Sequence, residues 1–331
     1  MKNQIQFIVD EVLRQSDRPL TILLTSTHPM TDRNLCQTGH EIYNLNLKQF
    51  PIKWEGPIPE NMHIIDDINA LPHRPDIIIS QNVVDQYNIF KQFSYMFDAP
   101  LIEFEHTVPS DEWIEMGVLD QMKQQIQPNS YVFITDYSRK EWQRDEPNSY
   151  VLYHMVDTDF FKGWTGGNGR AAVMCNSFAN RQWAVGNIEE LLVKDDGKRV
   201  SLFGHNPDHN STVISRSAIP DTLGEYDVFI NTSLRSPIPA SLLEAAAIGM
   251  PLVSPKTCAI PDFFEEGKSI RYYEDYDECL EIVDELLANK DERKRLGEAA
   301  REVVLENFNR EKYINQWNNI FEYTLEKYHN G

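Results

Sequence analysis

Positive charge is what this sequence has least of. Against 51 Asp and Glu it sets 31 Lys and Arg, a formal charge of −20 over 331 residues, and nowhere do Lys and Arg gather into a run. Proteins that dock on duplex DNA or anionic lipid present a basic face, so the balance points away from nucleic acid and membrane partners unless folding assembles a basic patch. Cysteine is also scarce. Cys36, Cys175, Cys258 and Cys279 are far apart and form no Cys-x-x-Cys, which excludes a zinc ribbon or a disulfide framework and leaves reduced thiols. No stretch approaches the roughly 18 apolar residues of a membrane span, and Met1-Lys2-Asn3-Gln4 leads into no signal-peptide core. The expectation is a soluble, cytoplasmic protein. Internal repeats and low-complexity segments are missing too, whereas 41% hydrophobic and 11% aromatic residues are ordinary for a globular chain. The length suits two domains of about 150 residues each.

What is present centres on residues 226–255. Asp227 to Asn231 encloses a short strand-type run, Val-Phe-Ile, and a polar, proline-bearing loop follows from Thr232 to Pro239. Ala240 to Ile248 is rich in Ala and Leu, strong helix formers, with Pro239 tolerated at the start and Gly249 as the stop. Pro251-Leu252-Val253-Ser254 then reads as the next strand. Strand, loop, helix and strand make the unit of a parallel α/β sheet, whose ligands bind at the carboxyl ends of strands, where helix N-termini offer free N–H groups to phosphate. Glu244 is the one charged residue in that helix. It is either a solvent-facing helix residue or, since its neighbours leave little polar face, a carboxylate suited to a ribose diol.

This block resembles the nucleotide-sugar-binding segment of the family 4 retaining glycosyltransferases, the group 1 type. Their pattern is a Glu, seven residues, and a second Glu followed by Ala-x-Ala-x-Gly-x-Pro. Glu244-Ala245-Ala246-Ala247-Ile248-Gly249-Met250-Pro251 matches the second half, while Ser236 stands where the first Glu falls. The resemblance implies the GT-B fold: two Rossmann-like α/β domains with parallel sheets facing a central cleft. The expected domains are 1–162 on the acceptor side, 163–310 for the nucleotide sugar, and a C-terminal helix, 311–331, crossing back onto the first. The likeness is specific from about 220 to 325 and mainly positional over 1–170.

Taken in order, residues 4–15 have helical spacing and Leu20–Thr25 is a buried-type strand. In the family the next loop is Gly-rich and approaches the donor; here Ser26–Arg33 has no glycine pair, and Arg33 reads as an ordinary surface arginine. Pro75–Asn82 and Pro100–Pro109 are further strand-type runs. The second ends in Glu105-His106-Thr107, and strand ends are where functional side chains collect. Family members carry a His there near the donor sugar, so His106 is either a satisfied structural histidine or a positioning residue, with Glu103 or Glu105 orienting its ring. Tyr131–Lys140 reads as a strand and then a helix capped by Ser138.

Asp157-x-Asp159 invites a metal reading, but Val156-Asp157-Thr158-Asp159-Phe160 resembles the stretch that ends the family's first domain, and no metal is expected there. The run Gly163–Gly169 reads as a flexible linker. After a strand at Arg170–Cys175, the family's second domain supplies an Arg and a Lys to the donor diphosphate. Arg181 is the cationic candidate, a surface arginine being the alternative, and the Lys has no clear counterpart. Gly204 ends the Val200–Phe203 strand and is positioned to line the nucleotide. Ser217–Pro220, centred on Ile219, falls where the family wraps the base with backbone groups. Three helices are expected over 277–289, 291–307 and 311–328.

The function implied is a retaining, metal-independent glycosyltransferase whose co-substrate is a nucleotide-diphosphate sugar and whose acceptor is a hydroxyl of a saccharide, lipid-linked or small molecule. Glu244 holds the ribose; Ser236 lies at the sugar; Ala240, Ser241 and Arg181 take the diphosphate. A sugar-nucleotide epimerase or hydrolase of the same fold, a degenerate binding protein, and a transferase acting on hydroxymethylated DNA bases are the alternatives.

Overall fold

The computed structural model describes residues 18–52, 54, 56–81 and 84–330; the helix expected over 4–15 lies outside them. The chain divides into two compact units. One holds residues up to 134, 139–152 and from 313 on, the other 135–138 and 153–312.

The first unit is built on a seven-stranded sheet of order β3-β2-β1-β4-β5-β6-β7. The strands are β1 (Thr21–Leu24), β2 (Glu41–Leu45), β3 (Met62–Ile65), β4 (Ile77–Gln81), β5 (Leu101–Glu105), β6 (Ser130–Phe133) and β7 (Ser149–Val151), all paired in parallel. Runs such as Ile77-Ile78-Ile79 do not alternate because both faces are covered; all three are fully buried, each worth about 1.5–3 kcal/mol. Glu41-Ile42-Tyr43-Asn44-Leu45 does alternate, and its burial follows suit up to Asn44. The last helix, Arg310–Asn330, belongs to this unit from Tyr313 onward. Its Trp317 meets Phe104 edge to face at 5.1 Å, and Thr324 and Ser130 share a buried hydroxyl bond of 2.7 Å.

The second unit carries a five-stranded parallel sheet of order β12-β11-β10-β8-β9: β8 (Ala171–Met174), β9 (Val200–Phe203), β10 (Val228–Ile230), β11 (Leu252–Pro255) and β12 (Arg271–Tyr273). The chain steps from β8 outward to β9, then returns past β8 to β10, so the strand order reverses there, as it does beside β1 in the first sheet. Loops leaving such a reversal diverge and open a crevice. The helix Ala240–Ile248 is buried on all sides from Leu242 to Ile248, a run apolar but for Glu244, and ends at Gly249 in the left-handed region (φ 97°). It packs so closely on the helix Lys290–Asn307 that a Cβ on Gly297 would come 2.0 Å from Gly249 O. Helices at Tyr276–Ala288, Lys290–Asn307 and Arg310–Asn330 match the spacing of the C-terminal sequence within two residues at each end. Among the described residues no helix is long and apolar enough to cross a membrane.

Two expectations are corrected. The glycine-rich run 163–169 is no flexible linker: Trp164 N and Thr165 N donate to Ile248 O and Gly224 O, and Gly167 N and Gly169 N converge on the two carboxylate oxygens of Asp227 at 2.8 and 2.7 Å. Asp227 is buried and also receives Arg293 at 3.0 Å, so glycine here lets backbone amides approach an anion rather than supply freedom. Ser138 also shares its expected capping duty. Ser138 N donates to Thr135 Oγ1 (3.0 Å) and Thr135 N to Ser138 Oγ (3.3 Å), a reciprocal cap with Thr135 at the leading position.

Candidate functional site

In the second unit the site is assembled by three loops at the carboxyl ends of β8, β9 and β10. The first two are zipped together. Ser177 N donates to His205 O (3.0 Å), His205 N to Asn176 Oδ1 (2.7 Å), and Asn206 Nδ2 to Cys175 O (2.8 Å). Gly204 makes the crossing possible: at φ 115° a Cβ would lie 2.2 Å from Cys175 O, so its placement beside the candidate ligand site follows from packing between loops. Arg181 is exposed, and its guanidinium donates to Asn176 O at 2.6 Å, tying it to the same loop pair as Gly204. Burial pushes the Cys175 thiol up, with Arg181 opposing the shift.

The loop after β10 is anchored to its neighbours. Leu234 N and Arg235 N both donate to Ala184 O, and Thr257 Oγ1 donates to Ser233 O. Half-buried Ser236 sits in this loop. The Ala240–Ile248 helix then begins at Pro239, which is extended and provides no side-chain cap. The first-turn amides of an α-helix lack intrahelical partners, and here exposed Ala240 and half-buried Ser241 occupy that turn.

Glu244 lies one turn further on, 5% exposed. Its burial raises the carboxyl above the usual range, opposed by Arg216, whose Nη1 stands 3.2 Å from Glu244 Oε1. Arg216 opens a short turn, Arg216–Ala218, that runs into Ile219, and the Ile219 amide donates to Arg216 O. The amide at the position expected to face a base is therefore engaged within the turn, while the Ile219 side chain joins the buried core that also holds Phe161 and Leu242. Sequence reasoning missed Arg216 because nothing in Ser215-Arg216-Ser217 marks it; only folding brings it to Glu244, 28 residues on.

In the first unit His106 is half-buried at the end of β5, and its Nε2 lies 2.9 Å from Gln81 Oε1. Gln81 and the Phe104 ring, 4.0 Å away between centroids, stand at the imidazole, whereas residues 103 and 105 project to the face opposite Phe104. There Glu105 Oε1 accepts from Thr107 N and Oγ1, and both glutamates line a cavity of about 30 Å³ with Tyr131, Trp142 and Arg144. Gln81 Nε2 in turn donates to Asp32 Oδ1 (3.1 Å), and Asn44 Nδ2 to Asp32 Oδ2 (3.3 Å). Burial pushes Asp32 up to about 6 against these bonds. Asp32 and Gln81 were also missed: one stands in the short helix Pro29–Leu35, the other at a strand end without charge. Arg33 is a surface residue whose Nη1 donates to Pro57 O and which covers the Trp54 ring. Asp157 Oδ1 accepts the amides of Asp159 and Phe160, a local turn. Among the described residues no cluster of three or more His, Cys, Asp or Glu is placed to hold a metal ion.

Comparison with known proteins is consistent with this frame. Residues 181–319 match the model of a family described as "Glycosyl transferase-like". Over 116 residues the chain is 28% identical to N-acetyl-alpha-D-glucosaminyl L-malate synthase of Bacillus anthracis, a match covering 34% of this chain and 30% of that protein. The match thus spans less than a third of that relative's length. Among solved structures, sucrose-phosphate synthase from Thermosynechococcus elongatus superposes with a TM-score of 0.72 at 11% identity over 94% of this chain and all of that one. HepE from Anabaena in complex with UDP-glucose gives 0.68 at 14%, over 93% and 100%. TarM gives 0.55 at 15%, over 74% of this chain and 54% of its own. At such identities the likeness is one of fold, and that fold is GT-B. The resemblance to group 1 glycosyltransferases read from residues 244–251 is borne out.

Proposed function

We propose that this chain, a group 1 glycosyltransferase by its matched segment and its GT-B fold, moves a sugar from a nucleotide-diphosphate sugar to an acceptor hydroxyl with retention and without an obligatory metal. The observation that carries the reading is what the elements following β8 and β10 carry at the strand-order reversal: an exposed guanidinium after β8, and after β10 an uncapped helix N-terminus with a buried carboxylate one turn into the helix. These are the complements of a diphosphate and a ribose diol. The complexes of HepE with UDP and with UDP-glucose support a uridine donor.

In this reading the anomeric carbon–oxygen bond to the diphosphate breaks and the acceptor oxygen bonds the same carbon on the same face. The acceptor proton passes to a leaving phosphate oxygen. In this reading the growing phosphate charge is met by Arg181 and by the amides of Ala240 and Ser241, donors that the first helical turn leaves without intrahelical partners. Glu244 accepts the ribose hydroxyls. Ser236 supplies one hydroxyl where the family has a carboxylate, and His106, its ring bonded to Gln81 in the first unit, is read as a positioning residue. That substitution removes charge and reach, so the sugar end of the site is the altered part; donor binding without transfer is the reading it favours as an alternative. The protein acts in the cytoplasm.

The test is calorimetric titration with UDP, GDP and ADP, followed by incubation of the tightest binder's sugar conjugates with a panel of hydroxyl acceptors, with and without EDTA. Tight binding lost in Glu244→Ala, with transfer that survives EDTA and retains the anomeric configuration, supports the reading. Products formed without an acceptor point to a hydrolase or epimerase, and binding without any product to a degenerate enzyme.

A further inference from the structure

Glu244 raises a physical question that its expected task does not answer. A carboxylate 5% exposed, on a helix whose Leu242, Leu243 and Ala247 are fully buried, would ordinarily take up a proton, because burying an unpaired charge costs several kcal/mol. A neutral carboxyl group accepts hydrogen bonds weakly and must donate one of its own, which makes it a poor partner for two hydroxyl donors.

Arg216 is the charged group set against it. Its Nη1 is 3.2 Å from Glu244 Oε1, and its guanidinium carbon lies over the ring of Phe161, 5.3 Å from the centroid, that ring being 1% exposed. The backbone beneath is held by the Ile219 amide bond to Arg216 O and by the buried Ile219 side chain. Other charges on the packed elements are engaged elsewhere. Arg301 donates to the carbonyls of Phe161, Thr158 and Ala247, Arg293 is paired with Asp227, and Asp157 caps its own turn. On the neighbouring helix Ile219–Gly224, Asp221 is exposed.

We propose that Arg216 is a positioning residue of the nucleotide site: braced by Phe161, it keeps the Glu244 carboxylate charged and in one orientation within an apolar wall, so that it accepts both hydroxyls of a ribose. This rests on the reading of Glu244 as the ribose ligand. Arg216 then contributes to affinity only through hydroxyls that Glu244 receives.

The experiment measures Kd for whichever of UDP, GDP or ADP the wild type binds most tightly, and for its 2′,3′-dideoxy counterpart, across wild type, Arg216→Met, Glu244→Gln, the double variant and Arg216→Lys. Wild type is expected to prefer the ribonucleotide by roughly 10–100-fold, the range for hydrogen bonds to a charged group. Arg216→Met loses most of that preference while its affinity for the dideoxy compound stays within about threefold; on the Glu244→Gln background it adds little, since coupled residues are not additive. Arg216→Lys restores the preference in large part. Equal weakening of both nucleotides by Arg216→Met, or its full loss repeated on Glu244→Gln, overturns the proposal and makes the pair a structural one. Should the Met variant not fold by circular dichroism, Arg216→Gln takes its place with the same expected outcomes. Binding of no nucleoside diphosphate by wild type overturns the underlying reading itself.

Discussion

The two sheets reverse their strand order in the same way, β1 between β2 and β4 in one unit and β8 between β9 and β10 in the other, yet the chemistry at the two reversals differs. In the first unit the polar groups are turned on one another: Asp32 receives the Gln81 and Asn44 amides, and Gln81 Oε1 meets His106. In the second, the loops carry an exposed guanidinium and an uncapped helix start, and the buried acid is matched by a full cation. Topology provides a crevice in each; the residues decide what it suits. In the first, buried amides and an imidazole gather around an acid pushed to about 6; in the second, a cation and helix amides are the groups on which the proposed diphosphate binding rests.

That contrast can be broken in several places. The largest effect is expected from Gly204→Ala, since the added Cβ meets a backbone carbonyl and the residue keeps a positive φ. A loss of about 3 kcal/mol or more is expected, seen as a fall in Tm on the order of 10 °C. A neutral outcome would show that the zipped loops are no rigid frame. Next, Arg181→Ala should weaken nucleoside diphosphate binding by roughly 10–100-fold in calorimetry and leave the bare nucleoside nearly unaffected. Equal losses for both would remove Arg181 from the phosphate end.

In the first unit the prediction is one of stability. Burial pushes Glu103 up to about 8 from 4.5, with the neighbouring Glu105 adding to the shift, and Glu105 itself reaches about 7 through burial. The folded state therefore binds more protons than the unfolded one between pH 4.5 and 8, and stability falls as pH rises through that window. Glu103→Gln, which keeps the shape of the neutral acid, should raise Tm at pH 8, by an amount corresponding to on the order of 2 kcal/mol, and this gain should fade towards pH 4.5. A gain independent of pH would mean packing, not ionisation, is responsible. Smallest is Thr324→Val, which leaves buried Ser130 Oγ without its 2.7 Å partner and should cost about 1 kcal/mol in urea unfolding.

Much of the second unit was legible because its signals are local. Ala-rich spacing, Pro239 ahead and Gly249 behind delimit one helix, and the C-terminal helices follow from apolar residues at helical intervals. The first unit was harder: β2 and β3 are short, partly polar strands, and His106 was assigned the wrong neighbour because residues adjacent in sequence project to opposite faces of a strand. The glycine run 163–169 misled for a related reason. Its composition reads as freedom, but Asp227, some sixty residues away, collects its amides.

By itself the sequence determined the α/β class, the element carrying Glu244 and the family it resembles, because periodicity, helix-ending residues and a contiguous motif are properties of neighbouring residues. Only tertiary structure decided what Glu244 is: not a solvent-facing helix residue but a buried acid held against Arg216. Which groups share a low-dielectric space depends on how distant strands and turns close around it, and the energy of a buried charge is set by that surrounding rather than by its place in the chain.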